Sequence, residues 1–316
     1  MKTLAEIRKK YQGKLDSLDL ELIVADIIKK SREFVLTYPE YKITSTRNSQ
    51  LTTLIERRIK REPIAYILGH KEFFGLDFKV DKNTLIPRPE TELLVELAIH
   101  LVTHNPQPTT IIDVGTGSGN IIISLVKNLL RSELRPACND VATSGRVTGY
   151  EFIGIDISKK TLNIAKKNAK THKIDKKIKF LRGNLLEPLI KSSRLMANSS
   201  LIVIANLPYL SSKIYSSAPI DVKKYEPKSA LLSGTDGLNH YKKLFKQLKK
   251  IVTSYDPPAT MLQLRAGLRV TSFLEISPEQ KPALQKIIKS SFSKAEFEFK
   301  KDLAGKWRIC IIHIIA

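Results

Sequence analysis

The sequence predicts an α/β protein: a doubly wound, Rossmann-like parallel sheet preceded by a small helical domain and a linking β-hairpin. Three observations carry this. Between Thr109 and Tyr209, short β-branched runs alternate with segments of helical period, a rhythm that calls for parallel strands with helices on the faces. From Leu4 to about Ile59, apolar residues recur at helical spacing with lysine and arginine between them. Between these regions, KEFFGLDFKV sets aromatic and β-branched residues around Gly75, as a hairpin requires. The expected divisions are a helical domain at 1–68, a linker hairpin at 69–84 and an α/β domain at 85–316.

Along the chain, N-caps are expected at Asp16 or Ser17 and at Thr52, with a break at Pro39. After the hairpin, ELLVELAIHLV following Thr91 resumes helical spacing. TTIIDVG (109–115) is a buried strand ending in glycine, and NIIISLVKNLL (120–130) the helix after it. FIGIDIS (152–158), TLNIAKKNAKTH (161–172) and IKFLRGN (178–184) then give strand, helix and strand, and LIVIANLPY (201–209) opens with a fourth strand. Two stretches, 131–149 and 256–269, are polar or rich in turn formers and read as surface insertions.

With 316 residues and 42% hydrophobic content, the chain has room for about two domains of roughly 150 residues and enough apolar side chains for a core. That excludes a disordered tail. Lysine and arginine number 53 against 31 acids, a formal charge of +22 spread over the chain. Attraction to RNA, an anionic surface or an acidic protein follows, without choosing between them. Cys138 and Cys310 are far apart and form no CxxC, so neither a disulfide framework nor a metal site is expected. No secretory signal and no run of roughly 18 apolar residues occur, so a soluble, cytoplasmic protein is expected. The absence of a coiled-coil seam points to a monomer.

The segment DVGTGSGN (113–120) places Gly115, Thr116, Gly117, Ser118 and Gly119 between a strand and a helix, where backbone can approach a ligand and a helix N-terminus offers free N–H groups. Its GxGxG spacing departs from the GxGxxG of dinucleotide sites. Preceded by Asp113, it suits a nucleoside bearing an amino-acid tail better than a pyrophosphate. Asp156, ending the next strand, is placed to accept hydrogen bonds from two ribose hydroxyls. A tight turn with packing glycines is the alternative, and the acidic strand end weighs against it. Asn184 and Leu185, ending the third strand, can bond an adenine edge and cover its face.

Asn206–Leu207–Pro208–Tyr209 leaves the fourth strand at the carboxyl end of the sheet, where open α/β folds bind ligands. The Asn206 side-chain oxygen and the Leu207 carbonyl can each accept one N–H of a planar NH2 group. Pro208 stiffens the turn, and the Tyr209 ring offers a face for a planar amide or base. Such a site suits methylation of a nitrogen conjugated to a π system, either an adenine amine or a glutamine carboxamide. An Asn-x-Pro turn leaving a core strand is the plain alternative.

Outside these loops, REPIAYILGHKEFFGLDFKV (61–80), TLIPRPETELLVE (84–96), EPKSALLSGTDGLNHYKKL (226–244), FLEISPEQ (273–280) and KDLAGKWRICI (301–311) occur with DVGTGSGN and NLPY in the order of one family. The sequence resembles the peptide chain release factor glutamine N5-methyltransferases of the HemK/PrmC type, class I enzymes dependent on S-adenosyl-L-methionine. The resemblance spans about Arg61 to Ile311. It implies a helical substrate-recognition domain and a catalytic domain that methylates the Gly-Gly-Gln glutamine of class I release factors. It assigns Asp113, Gly115 to Gly119, Asp156 and Asn206 to the cofactor, Asn184 and Leu185 to its adenine, and Asn206 to Tyr209 to the glutamine. No metal is implied, and His240 and His313 are read as surface or packing residues. Two departures stand out: Leu207 replaces the family's usual proline, and Asn184 its usual acid. NLPY is the form typical of ribosomal RNA adenine dimethyltransferases. An rRNA adenine-N6 methyltransferase is therefore the alternative, followed by a non-catalytic RNA-binding protein on the same fold.

Overall fold

The computed structural model describes residues 1–104, 109–133, 149–190, 200–254 and 268–315. Helices α1 (Leu4–Tyr11), α2 (Ser17–Ile28), α3 (Arg32–Thr37), α4 (Ser45–Ile59) and α5 (Ile64–Leu68) pack around an apolar core of their own, with Leu4, Ile23, Leu51 and Ile55 inside. Strands β1 (Lys2–Thr3) and β2 (Lys42–Ile43) pair beside them. Asp16 caps α2 as expected, accepting from the Leu18 and Asp19 amides. Thr52 starts no helix. It lies inside α4, where its hydroxyl donates to the Asn48 carbonyl at 2.9 Å, and Thr44 is the cap.

The hairpin β3 (His70–Phe73) and β4 (Leu76–Lys79) turns through Phe74 and Gly75, both at positive φ, the backbone that a two-residue hairpin turn needs. It is more than a tether. Phe73, Leu76 and Phe78 are buried in the same core as α6 (Glu92–Thr103).

Strands β5 (Thr109–Val114), β6 (Tyr150–Asp156), β7 (Ile178–Arg182), β8 (Ser200–Ala205), β9 (Arg269–Glu275), β10 (Glu296–Lys301) and β11 (Trp307–Ile315) form one sheet in the order β10-β11-β9-β8-β5-β6-β7. The four expected strands are β5 to β8, and all pairings from β9 to β7 are parallel. The sequence reading did not separate β9, β10 and β11, and β11 runs antiparallel to both its neighbours, so the sheet is mixed. Alternation along each strand feeds two faces. Ile111, Ile202 and Ile204 face α6, α7 (Asn120–Glu133) and α8 (Lys159–Thr171), whereas Ile112, Val203 and Ala205 face α9 (Glu187–Ile190), α12 (Asn239–Thr253) and α13 (Lys281–Ser291). Two short helices, α10 (Ser212–Ser217) and α11 (Ile220–Tyr225), follow β8. Glu133 still belongs to α7 and Arg269 already to β9. Residues 134–148 and 256–267 of the two expected insertions, with Cys138, lie outside the described residues. Among those residues, no helix is long and apolar enough to cross a membrane.

One side chain ties the hairpin to the glycine loop. Buried Asn168 of α8 accepts from the Lys79 amide at 2.9 Å and donates to the Lys79 carbonyl at 3.0 Å and the Ser118 carbonyl at 2.8 Å. Replacing it leaves three backbone groups without their partner. Asn168→Ala is expected to lower the unfolding free energy by about 2–4 kcal/mol, read as a lower urea midpoint with unchanged slope.

Candidate active site

The chain winds from β5 outward to β6 and β7, then returns to β8 on the other side of β5. The loops after β5 and β8 therefore diverge, leaving a crevice at the carboxyl ends of these strands. A cavity of about 330 Å³ fills it, lined by Gly115, Thr116, Gly117, Ser118, Asp156, Asn184, Leu185, Asn206, Leu207 and Pro208. Ten of the residues singled out in the sequence thus meet at one place. Asp113, Gly119 and Tyr209 do not line it.

The three loop glycines are all at positive φ but differ in what a side chain would meet. A Cβ at Gly117 would come no nearer to the protein than 3.8 Å, from the Gly115 carbonyl, so it would stand in the cavity. At Gly119 it would meet Ile123 at 2.9 Å and Ala165 of α8 at 3.3 Å, which makes this glycine a helix-packing position. At Gly115 it would press on the Leu207 side chain at 3.0 Å. Leu207 is itself buried, so the residue that departs from the family's proline fills the space beneath the loop.

Asp113 sits under the loop, fully buried, and its Oδ2 accepts from the Thr116 hydroxyl at 2.6 Å. Burial pushes its carboxyl up to about 7, against the opposing pull of that hydroxyl and the Ile122 amide. Its Oδ1 has no hydrogen bond within ordinary geometry among the described residues. Asp156 accepts from the Gly117 amide at 3.1 Å and the Ser158 amide at 2.8 Å. Burial raises its pKa too, opposed by those amides. Each carboxylate oxygen retains lone-pair capacity toward the cavity, which two hydroxyls of a sugar would use.

At the far end, Leu185 takes a left-handed backbone with φ 58°, a strained setting for a leucine. Gln247 of α12 holds it there, accepting from the Leu186 amide at 2.7 Å and donating to the Asn184 carbonyl at 3.2 Å. Exposed Ile157 lines the same end with an apolar surface for a planar ring. His240, read as a surface or packing residue, instead lines the cavity, its Nδ1 2.7 Å from the Ser233 hydroxyl. The sequence reading gave none of Gln247, Ile157 and His240 a place at the site, because their spacing carries no signal; only the packing of α12 and the end of β6 brings them in.

On its other side Asn206 borders a second cavity of about 410 Å³, lined by Tyr209, Leu210, Ile214, Pro219 and Val222. Leu85, Arg88, Asn206 and Ala230 belong to both cavities. Asn206 donates through Nδ2 to the Thr91 hydroxyl at 3.0 Å. Among the described residues nothing donates to its Oδ1 or to the Leu207 carbonyl. Asn206, which borders both cavities, and Leu207, which lines the first, thus each keep a free acceptor. Tyr209 donates to buried Glu275 at 3.2 Å, and burial raises the pKa of both.

Two family models match the chain: the PrmC N-terminal domain over residues 5–69 and a methyltransferase domain over residues 107–262. The release factor glutamine methyltransferase of Clostridium botulinum is 33% identical over 297 residues, covering 92% of this chain and 90% of its own length. That of Dictyoglomus turgidum is 32% identical, covering 92% and 89%. The chain belongs to the release factor glutamine methyltransferase family. Among solved structures, the hMettl16 catalytic domain in complex with MAT2A 3'UTR hairpin 6 aligns with TM-score 0.47 at 15% identity over 86% of this chain and 83% of its own, too distant to inform function.

As a member of this family the chain is an S-adenosylmethionine-dependent methyltransferase, and its residues fit that cofactor. Gly117 leaves the cradle that a Cβ would fill, Asp156 brings a carboxylate to the same cavity that could accept from sugar hydroxyls, and Ile157 and Leu185 add apolar surface to its lining. Two outcomes follow. Gly117→Ala should fold yet lose S-adenosylmethionine affinity at least about 30-fold by calorimetry, because the methyl occupies ligand space. The second concerns Asp113, whose native carboxyl keeps its proton above the usual 3.8. Without cofactor, its contribution makes stability fall as pH rises from about 4 to about 7, since over that window the unfolded chain has released the proton. Asp113→Asn should remove up to one proton's worth of that slope in urea midpoints measured across the window, while its amide oxygen still accepts from Thr116.

Proposed function

We propose that this family member methylates the side-chain amide nitrogen of the glutamine in the Gly-Gly-Gln motif of class I release factors. The carrying observation is the pair of unengaged acceptors on adjacent residues, Asn206 Oδ1 and the Leu207 carbonyl, with Asn206 bordering both cavities and Leu207 lining the first. A carboxamide nitrogen is a poor nucleophile because its lone pair is delocalised into the carbonyl. Two fixed acceptors, one for each N–H, turn the nitrogen's face toward the cofactor cavity. They also stabilise the positive charge that gathers on it. S-adenosylmethionine supplies an electrophilic methyl on a sulfonium. Bound there, that group would give up its methyl to the nitrogen while sulfur keeps the C–S electron pair as a neutral thioether, and the nitrogen would release its proton to water. Positioning of this kind contributes roughly 7–11 kcal/mol in favourable cases.

The second cavity, with its apolar lining and the Tyr209 ring, takes the glutamine side chain in this reading. Residues 1–68 serve as the recognition unit for the release factor. Its anchorage supports this: the Tyr225 hydroxyl donates to the Lys60 carbonyl at 2.8 Å and that of Tyr66 to the Thr84 carbonyl at 2.6 Å, fixing the helices beside the loops that flank the site. The protein works as a cytoplasmic monomer in this proposal.

The test offers purified release factor and protein-free ribosomal RNA side by side, with mass mapping of the product. One methyl group on the Gly-Gly-Gln glutamine, and none on RNA, is expected; methylated adenine with unmodified release factor would overturn the proposal in favour of the RNA reading. Asn206→Ala should lower turnover at least about 100-fold while S-adenosylmethionine affinity stays within a few-fold.

A further inference from the structure

Asparagine is nearly symmetric in shape about its last side-chain bond. Flipping the Asn206 amide exchanges Oδ1 and Nδ2 with almost no change in volume, so packing cannot choose between the two states. The chemistry can. With Oδ1 toward the substrate, an acceptor meets an N–H; after a flip, an NH2 meets an NH2, and one of two aiming contacts is replaced by a repulsion.

What selects the state lies behind the site. Nδ2 of Asn206 bonds to Thr91 Oγ1 at 3.0 Å, and that hydroxyl donates its only proton to Glu275 Oε2 at 2.6 Å. Thr91 therefore has only lone pairs to offer Asn206 and receives an N–H, not a carbonyl. The second Glu275 oxygen is also taken, by the Tyr209 hydroxyl at 3.2 Å. Thr91 and Glu275 are each 1% exposed, so water does not compete. Both ends of the four-residue turn are thus tied to one carboxylate, Asn206 through Thr91 and Tyr209 directly. Burial raises the Glu275 carboxyl, opposed by the Thr91 hydroxyl, the charge of Arg308 on β11 and the Tyr209 hydroxyl, and the two hydroxyls, each aimed at a different oxygen, meet it as an acceptor.

We propose that Thr91 and Glu275 are positioning residues that set the polarity of the Asn206 amide, presenting its oxygen to the substrate nitrogen. This rests on the glutamine methylation reading. Neither residue lies near Asn206 in sequence: Thr91 directly precedes α6 and Glu275 ends β9.

The experiment measures turnover on release factor, S-adenosylmethionine affinity and melting temperature for wild type, Thr91→Val, Thr91→Ser, Asn206→Ala and the double variant Thr91→Val/Asn206→Ala. Wild-type activity comes first: if the wild type leaves release factor unmodified, the functional reading falls by itself. With an active wild type, Thr91→Val is expected to lose about 10- to 100-fold in kcat with cofactor affinity within about 3-fold. Thr91→Ser, which keeps the hydroxyl, should recover to within about 3-fold of wild type. The decisive arm is the double variant. A residue acting only through Asn206 adds nothing once that amide is gone, so its kcat should match Asn206→Ala within about 2-fold. Full activity in Thr91→Val, or a loss that multiplies in the double variant, would overturn the relay. Should Thr91→Val not fold, Glu275→Gln replaces it, since a carboxamide offers one acceptor where two hydroxyls need two. A kcat loss that vanishes in the Asn206→Ala background supports the relay, and one that persists there overturns it.

Discussion

A carboxylate removed from water must be met by donors, and Glu275, at the carboxyl end of β9, is such a group with almost no exposure. Its oxygens receive the hydroxyls of Thr91 and Tyr209, and its backbone carbonyl receives the hydroxyl of Tyr241 from α12. Segments that precede α6, follow β8 and lie within α12 therefore converge on one residue. An uncompensated buried charge costs several kcal/mol, so these segments cannot drift apart independently. The NLPY turn stands where it does because both of its polar ends answer to this charge.

The catalytic arrangement follows from that anchorage. Asn206 is held at the boundary of two cavities, so in the proposed reaction a methyl donor in one would meet an acceptor nitrogen reaching in from the other. The rim is held in a similar manner. Arg88 of the IPRPETE segment pairs with buried Glu226, which also accepts from the Ile86 amide at 3.3 Å. A second buried carboxylate thus joins the segment before α6 to the segment after α11, over the site.

The glycine loop shows one motif divided between different tasks. Gly117 clears ligand space, Gly119 lets α8 approach, and Gly115 accommodates Leu207. Leu207 matters here for more than its carbonyl. Its buried side chain packs against the loop at Gly115, a role that its reading as a departure from proline did not foresee. Beneath both, Asp113 trades a raised pKa for a hold on Thr116.

Local pattern determined much of this molecule. The strand and helix order from Thr109 to Ala205, the cap at Asp16, the hairpin at Gly75 and the positions of Asp156, Gly117 and Asn206 all follow from periodicity and short-range chemistry, because strands, turns and caps are built from neighbours in the chain. The final strands were less legible. β11 slots antiparallel between β9 and β10, a choice made by the sheet as a whole and not by any one segment. The cap at Thr44, chosen over Thr52, depended on where the backbone of α4 begins. The partners of the site residues were hidden altogether: Thr91 reaches Asn206 across 115 positions, Glu275 reaches Thr91 across 184, and Gln247 reaches Leu186 across 61. Composition and spacing can place a reactive side chain at the end of a strand. Which way its amide faces, what holds the turn beneath it and which carboxylates lie beyond water's reach are decided only when distant segments fold together, because hydrogen-bond direction and burial belong to the assembled neighbourhood.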